Sequence, residues 1–182
     1  MKAKEDYETR VAMAQMHKAF IERMDEVFKK ERYVETVWYC YAIFEQRISR
    51  LIAKYLDKCP VQNDRIDNKS AAISTRIKCT KNLIDARYGA FESFDKNLLE
   101  NILRWCENRN ELVHGLISFE HYKQYDDEFK KLAECGRPLV HELYKAITEF
   151  RNSWYVEEAP SIPFPKIKCK CKSKKCINPQ IV

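Results

Sequence analysis

The chain has 182 residues, of which 45% are hydrophobic, 33% charged and 12% aromatic. A chain of this size makes one domain, or one domain with an appendage, and can bury close to 70% of its unfolded surface without a disulfide scaffold. A mean hydropathy of −0.58 with no apolar run near 18 residues excludes a transmembrane span. Only three glycines occur, against a usual ~7%, which argues against sheet-rich, turn-rich and phosphate-loop folds. The start of the chain, polar and mixed in charge, does not read as a secretory leader, so a cytoplasmic location is expected.

The charge is unevenly spread. Lys166, Lys168, Lys170, Lys172, Lys174 and Lys175 stand near the C-terminus, and nothing after Glu158 is acidic. Without those six, the 33 Lys and Arg only match the 27 Asp and Glu, so residues 1–165 are formally neutral and the net +6 resides in the tail. A neutral body with a basic tail suits a protein that meets a polyanion.

In chain order, Val11, Met13, Met16, Phe20, Met24 and Phe28 recur at helical spacing, with Lys and Glu between them, and predict a first helix over about 7–31. A second helix, about 33–58, carries Val37, Trp38, Tyr41, Phe44, Ile48, Leu51 and Tyr55 and stops before Pro60. The polar stretch 60–69 reads as a loop. Ser70 is a plausible N-cap for a third helix to about Tyr88, with Gly89 as its stop. Asp95 looks like the N-cap of a fourth, 96–114, bearing Leu98, Leu99, Ile102, Leu103, Trp105 and Leu112 and followed by Gly115. A fifth stretch begins near Glu120 and is expected to break at Gly136-Arg137-Pro138. A last helix, about 139–157, aligns Leu143, Ile147, Phe150 and Trp154. All three glycines thus fall at predicted helix ends. The expected fold is an all-α bundle of five or six helices over residues 1–158. Residues 159–182, opening with Pro160, Pro163 and Pro165, form a proline-rich linker and a basic, cysteine-containing tail.

Cys40, Cys59, Cys79, Cys106 and Cys135 have no ligand spacing and read as reduced, partly buried side chains. Cys169, Cys171 and Cys176 form a C-x-C-x4-C cluster among lysines, which lower thiol pKa and favour metal binding. A closed zinc site needs a fourth ligand, which another chain or a cysteine of the body would have to supply. Otherwise no cofactor is expected. Glycine-loop, Walker, nucleophile-elbow and H-E-x-x-H motifs are absent from the sequence.

Among the histidines, His17, His121 and His141 read as structural or merely exposed, whereas His114 ends the stretch RWCENRNELVHGL. Asn110 lies one helical turn before His114 on the same face, where its amide can orient the imidazole. Arg109 precedes His114 by five residues, displaced roughly 140° around the axis and ~7.5 Å along it. One helix would not aim both at a single phosphate, but two copies about a twofold axis would pool two Arg and two His in one cleft. By composition alone an R-N-x3-H arises about 0.01 times in such a chain. These groups suit metal-free phosphodiester cleavage in RNA: an imidazole moves the protons, and a guanidinium grips the non-bridging oxygens.

The stretch RNELVHG, at the end of a helix that follows the aromatic-rich segment YVETVWYCYAIFEQRISRLI, resembles the HEPN superfamily. That resemblance implies a helical, commonly homodimeric domain. Its signature R-x4–6-H, with a polar residue after the Arg, is matched by Arg109, Asn110 and His114. Many members are metal-independent endoribonucleases of toxin–antitoxin, CRISPR and phage-defence systems, so the expected products are 2′,3′-cyclic phosphate and 5′-hydroxyl ends. The expected partners are RNA, a second copy, and an antitoxin or defence-system protein, with no membrane. Glu45 on the second helix is the candidate for an assisting acidic residue. In members silenced by nucleotide transfer, a Tyr stands two residues after the His. Here that position is Leu116, so such silencing is not implied. The lysine and cysteine tail lies outside the family core and reads as an RNA-gripping or partner-binding addition. The alternative is a non-catalytic HEPN-like dimeric module that binds RNA, nucleotide or a partner protein.

Overall fold

The computed structural model describes residues 2–56, 72–85, 94–115 and 122–156. These form five helices with no strand among the described residues: α1 (Lys2–Lys29), α2 (Tyr33–Leu56), α3 (Ile73–Asp85), α4 (Lys96–His114) and α5 (Tyr122–Val156). Ser70, Gly89, the 60–69 loop, Cys59, Leu116, His121 and the whole tail from 157 lie outside the described residues. So do all the lysines and cysteines assigned to RNA or metal binding in that tail.

A tight corner joins α1 to α2. Glu31 adopts the left-handed conformation (φ 55°) that usually ends a helix with glycine, and the Arg32 N–H donates to the Val27 carbonyl at 3.0 Å. Arg32 then starts α2, its carbonyl accepting from the Thr36 N–H. The chain reverses within three residues, so α1 and α2 pack as an antiparallel pair.

α2 is the hub, packing against α1, α3 and α5 and touching α4. Its Val37, Cys40, Phe44, Ile48 and Leu51 are buried, facing Met24 of α1, Ile77 of α3, Leu99 and Ile102 of α4, and Leu143 and Ile147 of α5. Two parts of the apolar stripes lie open to solvent. Trp38 of α2 is exposed, and in α1 Met24 is buried and Phe28 half-buried, while Met13, Met16 and Phe20 are exposed. Helical periodicity marks which residues share a face, but not how far along it a neighbour reaches.

The expected break at Gly136-Arg137-Pro138 does not occur: α5 runs unbroken for 35 residues with Pro138 inside it. Proline deprives the Glu134 carbonyl of its helical partner, at a usual cost of ~3 kcal/mol. Here both residues are exposed, so water can reach that carbonyl. Gly136 is not a terminator either. It is buried, and a Cβ there would stand 2.6–2.8 Å from the indole of Trp105. That indole donates from Nε1 to the Leu132 carbonyl at 2.8 Å and meets Phe44 edge-on at 5.2 Å. The glycine is a notch into which α4 drives a tryptophan. Beside it, Asp25 of α1 accepts from Arg137 at 2.6 Å and pairs with His141 at 3.2 Å, tying α1 across the segment that contains Pro138.

No described helix is long and apolar enough to cross a membrane.

Candidate functional site

α4 positions the R-N-x3-H residues, and local chemistry fixes both of its ends. The Asp95 carboxylate accepts from the Asn97 N–H at 2.8 Å, satisfying one orphan donor of the first turn. At the other end the Gly115 N–H donates to the Glu111 carbonyl. Gly115 keeps right-handed angles (φ −79°, ψ −4°), and a Cβ there would meet nothing within 4 Å, so glycine's special freedom is not used.

The buried stripe of α4 runs through Leu98, Leu99, Ile102, Trp105 and Cys106. Arg109 stands three residues beyond Cys106, at the next position of that stripe. Its guanidinium lies over the rings of two α2 residues, Trp38 at 4.8 Å and Tyr41 at 4.6 Å from the centroids. Nη1 donates to the Asn110 Oδ1 at 3.1 Å, while the buried Nε has no hydrogen-bond partner. An unpaired buried N–H costs about 1–3 kcal/mol, and each ring returns about 0.5–2 kcal/mol through the cation–π attraction, so the stack is what makes this placement tolerable. The result is a guanidinium held in a fixed plane.

His114, the last residue of α4, is exposed, and no hydrogen bond joins it to Arg109 or Asn110. Asn110 is also exposed, and its amide is engaged with Arg109 rather than with the imidazole. Within one chain, Arg109 and Asn110 are therefore joined, and His114 stands apart from them.

Glu45, one turn beyond Tyr41 on α2, is half-buried. Burial, and then the Glu45 charge, push the Tyr41 phenol above its usual pKa, opposed by the guanidinium groups of Arg109 and Arg76. Burial likewise pushes the Cys106 thiol up to about 12, with Arg109 opposing and Glu45 adding to the shift. Ser49 donates to the Glu45 carbonyl and accepts from Arg76 of α3. The candidate site thus gathers Trp38, Tyr41, Glu45 and Ser49 from α2, Arg76 from α3, and Arg109 and Asn110 from α4. Trp38, Tyr41, Ser49 and Arg76 were not sequence candidates. The only signal was the i, i+3 aromatic pair on α2, which reads equally well as core.

A separate groove of about 780 Å³ lies between α4 and α5, floored by Trp105, Leu112, Leu132 and Leu139 and rimmed by Arg104, Asn108 and Lys131. Neither Arg109 nor His114 lines it. Among the described residues no three His, Cys, Asp or Glu side chains are grouped to hold a metal ion.

No family model, no characterised protein and no solved structure matches this chain.

Proposed function

We propose that the chain is a HEPN-type, metal-independent endoribonuclease acting as a homodimer, in the setting of a toxin or a phage-defence effector. The observation that carries this reading is the condition of Arg109, a guanidinium clamped in one plane by Trp38, Tyr41 and Asn110 on the helix that ends at exposed His114. Five residues of helix turn the two side chains roughly 140° apart, so the phosphate held by one chain's Arg109 would meet the imidazole of the second copy.

In the reaction the imidazole of His114 takes the proton of a ribose 2′-hydroxyl, and the 2′-oxygen attacks the adjacent phosphorus. The P–O5′ bond breaks, and the 5′-oxygen receives a proton from the other copy's imidazolium. Arg109 binds the non-bridging oxygens as their charge builds, and Asn110 fixes the guanidinium. The products are a 2′,3′-cyclic phosphate and a 5′-hydroxyl, and DNA, lacking the nucleophile, is not cut. Glu45 sits within electrostatic reach of Tyr41 and Cys106 and would set the field around this clamp.

The separation of Arg109 from His114 within one chain also favours a second reading, a module that binds RNA or nucleotide without cutting it. Incubation with total RNA in EDTA decides between them. Cleavage by wild type, with cyclic phosphate ends, is expected to be lost in His114→Ala. Because His114 is exposed, its melting temperature should stay within about 2 °C of wild type. Undiminished cleavage by His114→Ala would sink the enzyme reading.

A further inference from the structure

Trp38 is 55% exposed, the most open of the large apolar side chains whose environment is described. Its surroundings are not those of a surface built for an apolar partner. Along the same flank of α2 come Tyr41, Glu45 and Ser49, and across it stand Arg76, Arg109 and Asn110. An indole left in water forgoes the hydrophobic stabilisation that burial gives Phe44 on the same helix. The indole carries a guanidinium 4.8 Å from its centre, and that guanidinium spends one N–H on Asn110. An aromatic surface open to solvent, adjoining a clamped cation, is matched by a ligand that joins a planar base to an anion through a single sugar.

We propose that Trp38 is a stacking platform for a nucleobase of single-stranded RNA, next to the phosphate that Arg109 binds. The inference deepens the ribonuclease reading and rests on it for the phosphate at Arg109. A base must leave its duplex to lie on an indole, so Trp38 itself would contribute to binding of single strands, loops and bulges and not of continuous duplex. Glu45, Ser49, Arg76 and Asn110 give the flank beside the indole a polar character that suits a base joined to phosphates better than the apolar face of an amphipathic helix.

The test is binding in EDTA of an eight-nucleotide 2′-O-methyl RNA, which lacks the nucleophile and cannot be cut. Its partners are the same sequence as a duplex and an abasic eight-mer with the same phosphates. Wild type is expected to prefer the single strand. Trp38→Ala should weaken binding of the single strand roughly ten- to hundredfold and that of the abasic strand by much less, through the loosened Arg109 clamp, whereas Trp38→Phe, which keeps a ring beside the guanidinium, should restore abasic binding fully and single-strand binding in part. Arg109→Ala should weaken both strands. The oligonucleotide should quench the tryptophan emission of wild type more than that of Trp38→Phe.

The proposal is overturned by equal binding of the single strand to wild type and Trp38→Ala, by equal losses on the abasic strand, or by no binding of wild type to any strand. It is also overturned if Trp38→Ala turns a dimer into a monomer in sedimentation, since the indole would then be a subunit contact. Because no strand here is cleavable, failure of the cleavage reading in the His114→Ala assay is a distinct result.

Discussion

The notch at Gly136 makes a quantitative prediction. Replacing Gly136 by alanine removes a poor helix former from the interior of α5, which by itself would stabilise the protein by about 1 kcal/mol. The added methyl, however, would stand 2.6–2.8 Å from Nε1, Cε2 and Cζ2 of Trp105. That indole is 3% exposed, held by the Leu132 carbonyl and by Phe44, so it is not the loose end of a flexible side chain. Forcing α4 and α5 apart costs about 1–3 kcal/mol in overpacking. Loss of the Trp105–Leu132 hydrogen bond adds about 0.5–1.5 kcal/mol. The balance is a net loss of about 0.5–3.5 kcal/mol, or roughly 1–14 °C in melting temperature for a domain of this size.

Thermal unfolding followed by far-ultraviolet circular dichroism reads this directly, with Gly115→Ala as the control. Gly115 has right-handed angles and open space around it, so alanine there should be neutral or slightly stabilising. In a Trp105→Leu background, the penalty of Gly136→Ala should vanish and the helix-propensity gain should emerge. A Gly136→Ala protein as stable as wild type would refute the reasoning, as would an equal penalty in both backgrounds.

Other expectations concern titration and the tie across α5. Burial pushes the thiols of Cys40 and Cys106 up to about 12, from a usual 9.0. Above pH 9 the unfolded chain sheds these protons and the folded chain keeps them, so stability should fall as pH rises from about 9 toward 12, by up to ~1.4 kcal/mol per pH unit per thiol. The slope of urea stability against pH should therefore be shallower in Cys106→Ala than in wild type, and equal slopes would contradict it. Asp25→Asn should remove the charge that Arg137 and His141 share, lowering stability by about 1 kcal/mol at low salt and less at 0.5 M NaCl, as partly exposed pairs do. A loss unchanged by salt would mean packing, not charge, is responsible.

The parts of the fold legible in the sequence are those decided locally. Asp95 and Gly115 bracket α4 at the residues expected, because capping needs only a side-chain oxygen at one end and a break in the periodic pattern at the other. Glu31 takes the left-handed corner without being glycine, and there the signal was the shortness of the link between two amphipathic segments. Illegible were the features decided by a neighbour. Gly136 and Pro138 read as a break because each is a helix breaker in isolation, whereas Trp105 wedges against one and solvent accommodates the other. Met13, Met16 and Phe20 keep the spacing of Met24, but that spacing carries no information on whether a second helix covers them.

The candidate site divides along the same line. The spacing of Arg109, Asn110 and His114 is a property of the chain and could be read from it, together with the 140° that separates the first from the last. The direction in which Arg109 points could not. It occupies the next step of a stripe that runs Leu98, Ile102, Trp105, where periodicity calls for an apolar residue, and an arginine there is accommodated only because two aromatic rings of α2 receive it. A charge placed on a core stripe is costly, and one N–H of this one goes unpaired. A residue needed only for stability would be replaced at that position by leucine or methionine with gain. The proposed phosphate-binding role gives the guanidinium a reason to be there, and Arg109→Met separates the two explanations: it should raise the melting temperature or leave it unchanged while weakening RNA binding. A large loss of stability in that variant would make Arg109 a structural residue and remove the central support for the ribonuclease reading.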